Sequence, residues 1–200
     1  SLGCSTPGVQ DVSIPVSGVT GAVTAISATL SLNSPFAGDA IAELRAPGGS
    51  PSLVLFGRIG ATGSGGVGDS SNFDGAYQFV DPAVSTNNIW TAAAAIDSNT
   101  TIPPGTYATT QIGGAGVTIP APTVPFLSVF SALTPAQING TWTLRVSDCS
   151  SGDRLTLNAA SLTLAAAAAP TAVPTLGEWG LLLTGLLAAG LGAARLRQRT

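Results

Sequence analysis

Histidine, lysine and methionine are all absent from this 200-residue chain, and only 8% of it is charged. Without His or Lys, the usual base partners of a nucleophilic serine cannot be assembled. Zinc sites that use His are excluded, and two cysteines are too few for a four-Cys site. Ten acidic residues, scattered along the chain, single out no pair for glycoside cleavage. The expectation is a non-enzymatic protein. Basic charge is scarce as well. Arg45, Arg58, Arg145 and Arg154 face nine acidic residues before residue 174, which leaves that part at −5. Nucleic-acid binding therefore has no electrostatic footing. The missing Met and the start at Ser1 suggest a mature product whose leader has been removed.

What is present is mostly Ala, Gly, Ser, Thr, Val and Leu, an apolar balance that argues against disorder. In AISATLSL (25–32), Ile26, Ala28, Leu30 and Leu32 fall on one face while Ser27, Thr29 and Ser31 fall on the other. Period-two alternation marks a half-buried strand. DAIAELRAP (39–47), SLVLF (52–56), AYQFV (76–80), TWTLRVSD (141–148) and LTLNAASLTL (155–164) read alike, with Gly, Pro, Asn and Asp between them. No amphipathic helix is evident before the tail. The fold class expected is all-β, a jelly-roll-like β-sandwich followed by a single C-terminal hydrophobic α-helix. Its parts would be the sandwich (1–164), an Ala/Pro spacer (165–172) and the tail (173–200). Cys4 and Cys149 are the only cysteines. In an exported chain such a pair reads as a disulfide, whose long loop is worth roughly 5 kcal/mol at best; two buried thiols are the alternative.

Two stretches carry a family resemblance. GDAIAELRAPGG (38–49) resembles the Gly-Asp-Leu-x-Ile-x-Leu-x-x-Pro-x-Gly segment of the P domain (P/Homo B) of proprotein convertases, through Asp39, Leu44, Pro47 and Gly49. NGTWTLRVSDCSSGDRLTLNAASLTL (139–164) is similar to that family's closing hairpin, through Asn139, Gly140, Thr141, Trp142, Leu144, Val146, Asp148, Asp153 and Leu157. Leu155 and Ala160 depart from the pattern, as does most of 109–125. The resemblance implies a jelly roll and a calcium site that uses Asp39, Asp148 and Asp153. Asp69 and Asp74 form a second, weaker acidic cluster without EF-hand spacing. The competing reading is that each Asp caps or turns its own backbone.

Other motifs are weaker. GSGGVG (63–68) fits Gly-x-Gly-x-x-Gly, but DSSNFDG follows it in place of a helix, so a surface loop is expected. Asn99 and Asn139 satisfy the glycosylation sequon, and a turn role is sufficient for Asn139. Trp90, Trp142 and Phe126 are expected in the core.

The tail is the most specific signal. From Trp179 to Ala194 the chain is apolar but for Thr184, and Arg195, Arg197 and Arg199 follow. As a helix it would reach roughly 24 Å against a hydrocarbon core of about 30 Å. Snorkelling arginines and an interfacial Trp179 would make up the difference. VPTLGEWG, with Val173 in place of Ile and with Pro174, Thr175, Leu176, Glu178, Trp179 and Gly180, resembles the bacterial IPTL-CTERM signal. That resemblance implies an exosortase-like sorting partner and at least transient membrane contact. A plain anchor needs the span but not the motif. The whole reads as an exported bacterial cell-surface or extracellular structural protein, with copies of itself in a filament or sheath as expected partners. A calcium-dependent surface adhesion module is the alternative.

Overall fold

Period-two alternation resolves into eight strands in two four-stranded sheets. The computed structural model describes residues 8–63 and 67–168, together with Leu186. The chain divides into two units, Ser1–Ala168 and Ala169–Thr200, and the description that follows concerns the first. The strands are β1 (Gly8–Val16), β2 (Val23–Ser34), β3 (Ala40–Arg45), β4 (Ser52–Gly57), β5 (Phe73–Val80), β6 (Gly105–Ala108), β7 (Gly140–Asp148) and β8 (Thr156–Ala166). One sheet runs β1-β7-β3-β4 and the other β6-β5-β2-β8. All pairings are antiparallel except β5 with β6. The expected all-β class and its two sheets are observed. The strand order does not establish the finer jelly-roll designation, and the expected tail helix lies outside the described residues.

Inward residues of both sheets join one core. On β2, Ile26, Ala28, Leu30 and Leu32 are buried, which is the face that alternation selects. The two sheets meet through aromatic rings. Phe56 of β4 lies 5.1 Å from Phe73 and 5.0 Å from Phe79, both on β5 of the opposite sheet. Phe73 contacts Tyr77 edge-on at 4.9 Å. Offset and edge-on geometries of this kind suit the ring quadrupoles and add to the burial itself.

β3 departs from simple alternation, because Ala40 to Leu44 are buried without a break. Ala40, Ala42 and Leu44 face the core. On the other face the 109–114 segment runs beside β4: Thr110 N–H donates to Leu55 O at 2.9 Å and Gly113 N–H to Gly57 O at 2.8 Å. Ile112 bridges Gly57, and a Cβ added at Gly57 would meet both Ile112 and Ile41.

Three short helices also occur: α1 (Ile89–Ala94), α2 (Leu127–Phe130) and α3 (Pro135–Ile138). None was expected before the tail. Each spans six residues or fewer, too short for a 3.6-residue period to register. The Asn88 side chain caps α1 by accepting from Trp90 N–H at 2.9 Å. α2 carries Phe130 onto Trp142 at 5.2 Å, with Phe126 at 6.4 Å from Phe130. Trp142 is fully buried, and its indole N–H donates to Ile138 O at 2.8 Å. Trp90 and Phe126 are buried too, as expected of core aromatics.

Tyr77 joins this core to a loop. Its hydroxyl donates to Ile102 O at 2.7 Å and accepts from Asp74 N–H at 3.2 Å. Burial pushes its phenol up to about 12 from 10.0. The proton is therefore held more tightly in the folded state. The stabilisation is complete below pH 10.0 and is lost as pH rises towards about 12. Tyr77→Phe is expected to cost about 1–2 kcal/mol in urea unfolding at neutral pH, because two backbone groups lose their partner. The same variant should flatten the stability loss between pH 10 and 12.

Candidate functional site

Charged side chains are few, and several of the described ones gather in two places. The first lies across β1, β7 and β3. Asp11 stands opposite Arg145, and Arg145 stands opposite Glu43. Arg145 clasps Asp11 through Nε at 2.7 Å and a terminal nitrogen at 2.6 Å. Glu43 accepts from Nε and a terminal nitrogen of Arg45 at 2.9 and 2.6 Å. The signs alternate along this row. Its hydrogen-bonded Arg145 holds the Asp11 carboxyl below the usual carboxylate range. Partly exposed pairs of this kind contribute at most about 1 kcal/mol each. Asp11 and Arg145 pair across β1 and β7, while Glu43 and Arg45 pair within β3.

The second place gathers the acidic residues singled out in the sequence. β7 ends at Asp148, which stands between Gly8 of β1 and Ala40 of β3. Asp39 immediately precedes β3, and its carbonyl accepts from Cys149 N–H at 3.0 Å. Burial raises the Asp39 carboxyl above its ordinary value, and the negative charges of Asp148 and Asp153 raise it further; Arg58 and a hydrogen bond from Ser150 oppose them. The fold thus brings Asp39, Asp148 and Asp153 within electrostatic reach of one another.

Calcium binds through six to eight oxygens. Here Asp148 Oδ1 already accepts from Ser150 N–H at 3.1 Å and Oδ2 from Leu155 N–H at 2.8 Å. Both oxygens thus take part in closing the turn that leads to β8. Among the described residues no group of three or more acidic, Cys or His side chains is arranged to hold a metal ion. Asp69 likewise serves its own turn, accepting from Ser71 N–H at 2.9 Å and from the Ser71 hydroxyl. Asp74 accepts from Asn33 Nδ2 at 3.4 Å.

The remaining motif residues have structural partners or lie outside the described residues. In GSGGVG, residues 64–66 are outside them. Gly68 packs backbone to backbone on Gly38, so a Cβ added at Gly38 would lie 2.4 Å from Gly68. The Asn139 side chain accepts from Val19 N–H at 3.0 Å and donates to Val19 O and Pro135 O at 2.8 and 2.9 Å. Asn99 lies in a loop with positive φ (62°) and is exposed. Cys149 is not a free thiol, whereas Cys4, its expected partner, lies outside the described residues. A groove of about 320 Å³ beside Asp148 is lined by Gln10, Val146, Arg154 and Leu155 among others. Alternation gave no hint of the role of Gln10. Its carboxamide donates to Leu157 O at 3.1 Å and accepts from Leu157 N–H at 3.0 Å, joining the edges of the two sheets.

No helix among the described residues is long and apolar enough to cross a membrane. The sorting residues Val173, Pro174, Thr175, Leu176, Glu178, Trp179, Gly180, Arg195, Arg197 and Arg199 all lie outside the described residues. Their identity comes from comparison. Residues 171–198 match the IPTL-CTERM motif, and all of these positions except Arg199 fall inside the match. The motif is a C-terminal sorting signal of bacterial proteins that are exported and anchored at the cell surface. Exosortase-like sorting machinery at the membrane processes it. Neither a curated protein nor a solved structure matches the chain. The P-domain resemblance at 38–49 and 139–164 gains no support from these comparisons.

Two variants test the acidic trio. Asp148→Ala is expected to cost about 2–3 kcal/mol by urea unfolding, since a charged acceptor of two backbone N–H groups is removed. The loss should be equal with and without calcium. A wild-type melting temperature that rises with calcium and ceases to do so in Asp148→Ala would instead make the trio a metal site. The raised Asp39 carboxyl carries an opposite sign. Its ionised form is disfavoured in the fold, so stability is lost as pH rises past 3.8. Asp39→Asn should therefore melt above wild type at neutral pH, with the gap closing below pH 3.8.

Proposed function

We propose that this chain is a non-enzymatic structural protein of the bacterial surface, a β-sandwich delivered by its C-terminal sorting segment and displayed in many copies. The observation that carries the reading is the match of residues 171–198 to a sorting signal. The sandwich is then the delivered part. Its composition supports a structural role, because without His and Lys the common nucleophile–base pairs cannot be built. Asp11, Glu43, Asp69 and Asp148 support it further, since each is engaged in an ion pair or a turn. Self-association into a filament or sheath belongs to this proposal. So does a Cys4–Cys149 disulfide, which would tie the N-terminal end beside the turn that follows β7; intact mass before and after reduction checks it.

Deletion of residues 171–200 should leave an exported sandwich that appears in the medium rather than in the surface fraction. Replacing Pro174, Thr175 and Leu176 by alanine keeps the apolar run and the arginines. It separates a sorting signal, which would fail, from a plain anchor, which would still hold. Surface fractionation followed by immunodetection reads both. Full surface retention of the deleted chain would overturn the proposal.

A further inference from the structure

A sheet edge presents unpaired N–H and C=O groups, and proteins ordinarily cover or blunt such edges. Three of the four edges here are treated in that way. Beside β4 runs the 109–114 segment, bonded at Leu55 and Gly57. Beside β6 runs Asn87–Asn88, with Ala108 N–H donating to Asn87 O at 2.8 Å. β1 carries Asp11 and also Pro15, which has no N–H to offer.

β8 differs. It is eleven residues long, TLNAASLTLAA, with no charge and no proline. The Gln10 carboxamide occupies its outward side at Leu157. Beyond that point no described segment pairs with the outward side. Ala160, Leu162 and Leu164 pack on the core from the inner face but stay only half-buried.

We propose that β8 is a docking edge for β8 of a second copy, paired antiparallel across a two-fold axis. The two sheets β6-β5-β2-β8 then join into one continuous sheet. A neutral strand opposite itself places no like charges together, which is what self-pairing requires. The segment matching the sorting signal begins five residues after β8 ends. Every anchored copy therefore carries this edge a few residues before its sorting segment in sequence, and shared anchoring raises its effective concentration. In this one respect the inference rests on the surface-delivery reading.

The test uses the full chain in native membranes, with Ala159→Cys, Ser161→Cys and Thr163→Cys made singly and oxidised. All three side chains are exposed. In an antiparallel two-fold pair only a residue near the axis meets its own copy, so dimer yield should peak at one position and fall at the others. Val84→Cys, on a loop and 70% exposed, supplies the background. Yields no higher than that background overturn the proposal, as does capture of an unrelated protein, read by mass. Lysine placed at the position of peak yield (Ala159→Lys, Ser161→Lys or Thr163→Lys), followed by light scattering of the detergent-solubilised chain, keeps the readout independent of oxidation. The dimer dissociation constant should rise about fivefold or more, and an unchanged constant counts against the edge. Surface fractionation of the same variants is separate. Normal delivery without β8 dimers sinks the edge alone, and β8 dimers without delivery sink the sorting reading alone.

Discussion

The body depends on closing two sheets over a shared apolar layer. Phe56 on one sheet meets Phe73 and Phe79 on the other, and Trp142 is sealed at its end by Phe130. Apolar burial dominates because few charges are available. Only 8% of residues are charged, and the two described salt bridges are partly open to water. Non-directional apolar burial supplies the driving force, while ring geometry gives it direction. α2, a single turn, exists to bring Phe126 and Phe130 into that layer.

Polar residues in this protein mostly finish what the strand ladders leave undone. Where β7 stops, Asp148 takes up two backbone N–H groups of the following turn. Asn139 holds Val19 at both its donor and its acceptor. Gln10 treats Leu157 as a neighbouring strand would. Buried backbone groups must find partners, and a chain so poor in charge meets that demand with side-chain amides and aspartates. Residues whose types suggest chemistry are therefore committed to architecture. Recognition is left to surfaces that the sandwich does not close and to the sorting segment.

That division gives the chain a simple logic. A sorting segment needs no tertiary partner to be read, since contiguous residues carry it, so it can be appended to a body of any fold. The body in turn contributes a packed apolar core and a perimeter of sheet edges. Three of its four sheet edges are covered or blunted, and the fourth is the strand that leads directly into the sorting segment.

The sequence by itself determined whatever is written locally. Alternation in AISATLSL placed Ile26, Ala28, Leu30 and Leu32 on the buried face, and the run from Val173 to Gly180 carried the sorting signal in linear order. Only the tertiary structure decided which strands are neighbours. Gly8 pairs with Asp148, and Gln10 reaches Leu157, across most of the chain. The uninterrupted burial of β3, the turn role of Asp148 and the place of β8 at a sheet edge all follow from those long-range pairings. Local periodicity tells a strand which face to bury, but not what lies beside it. Partners distant in sequence are chosen by how the whole apolar layer closes.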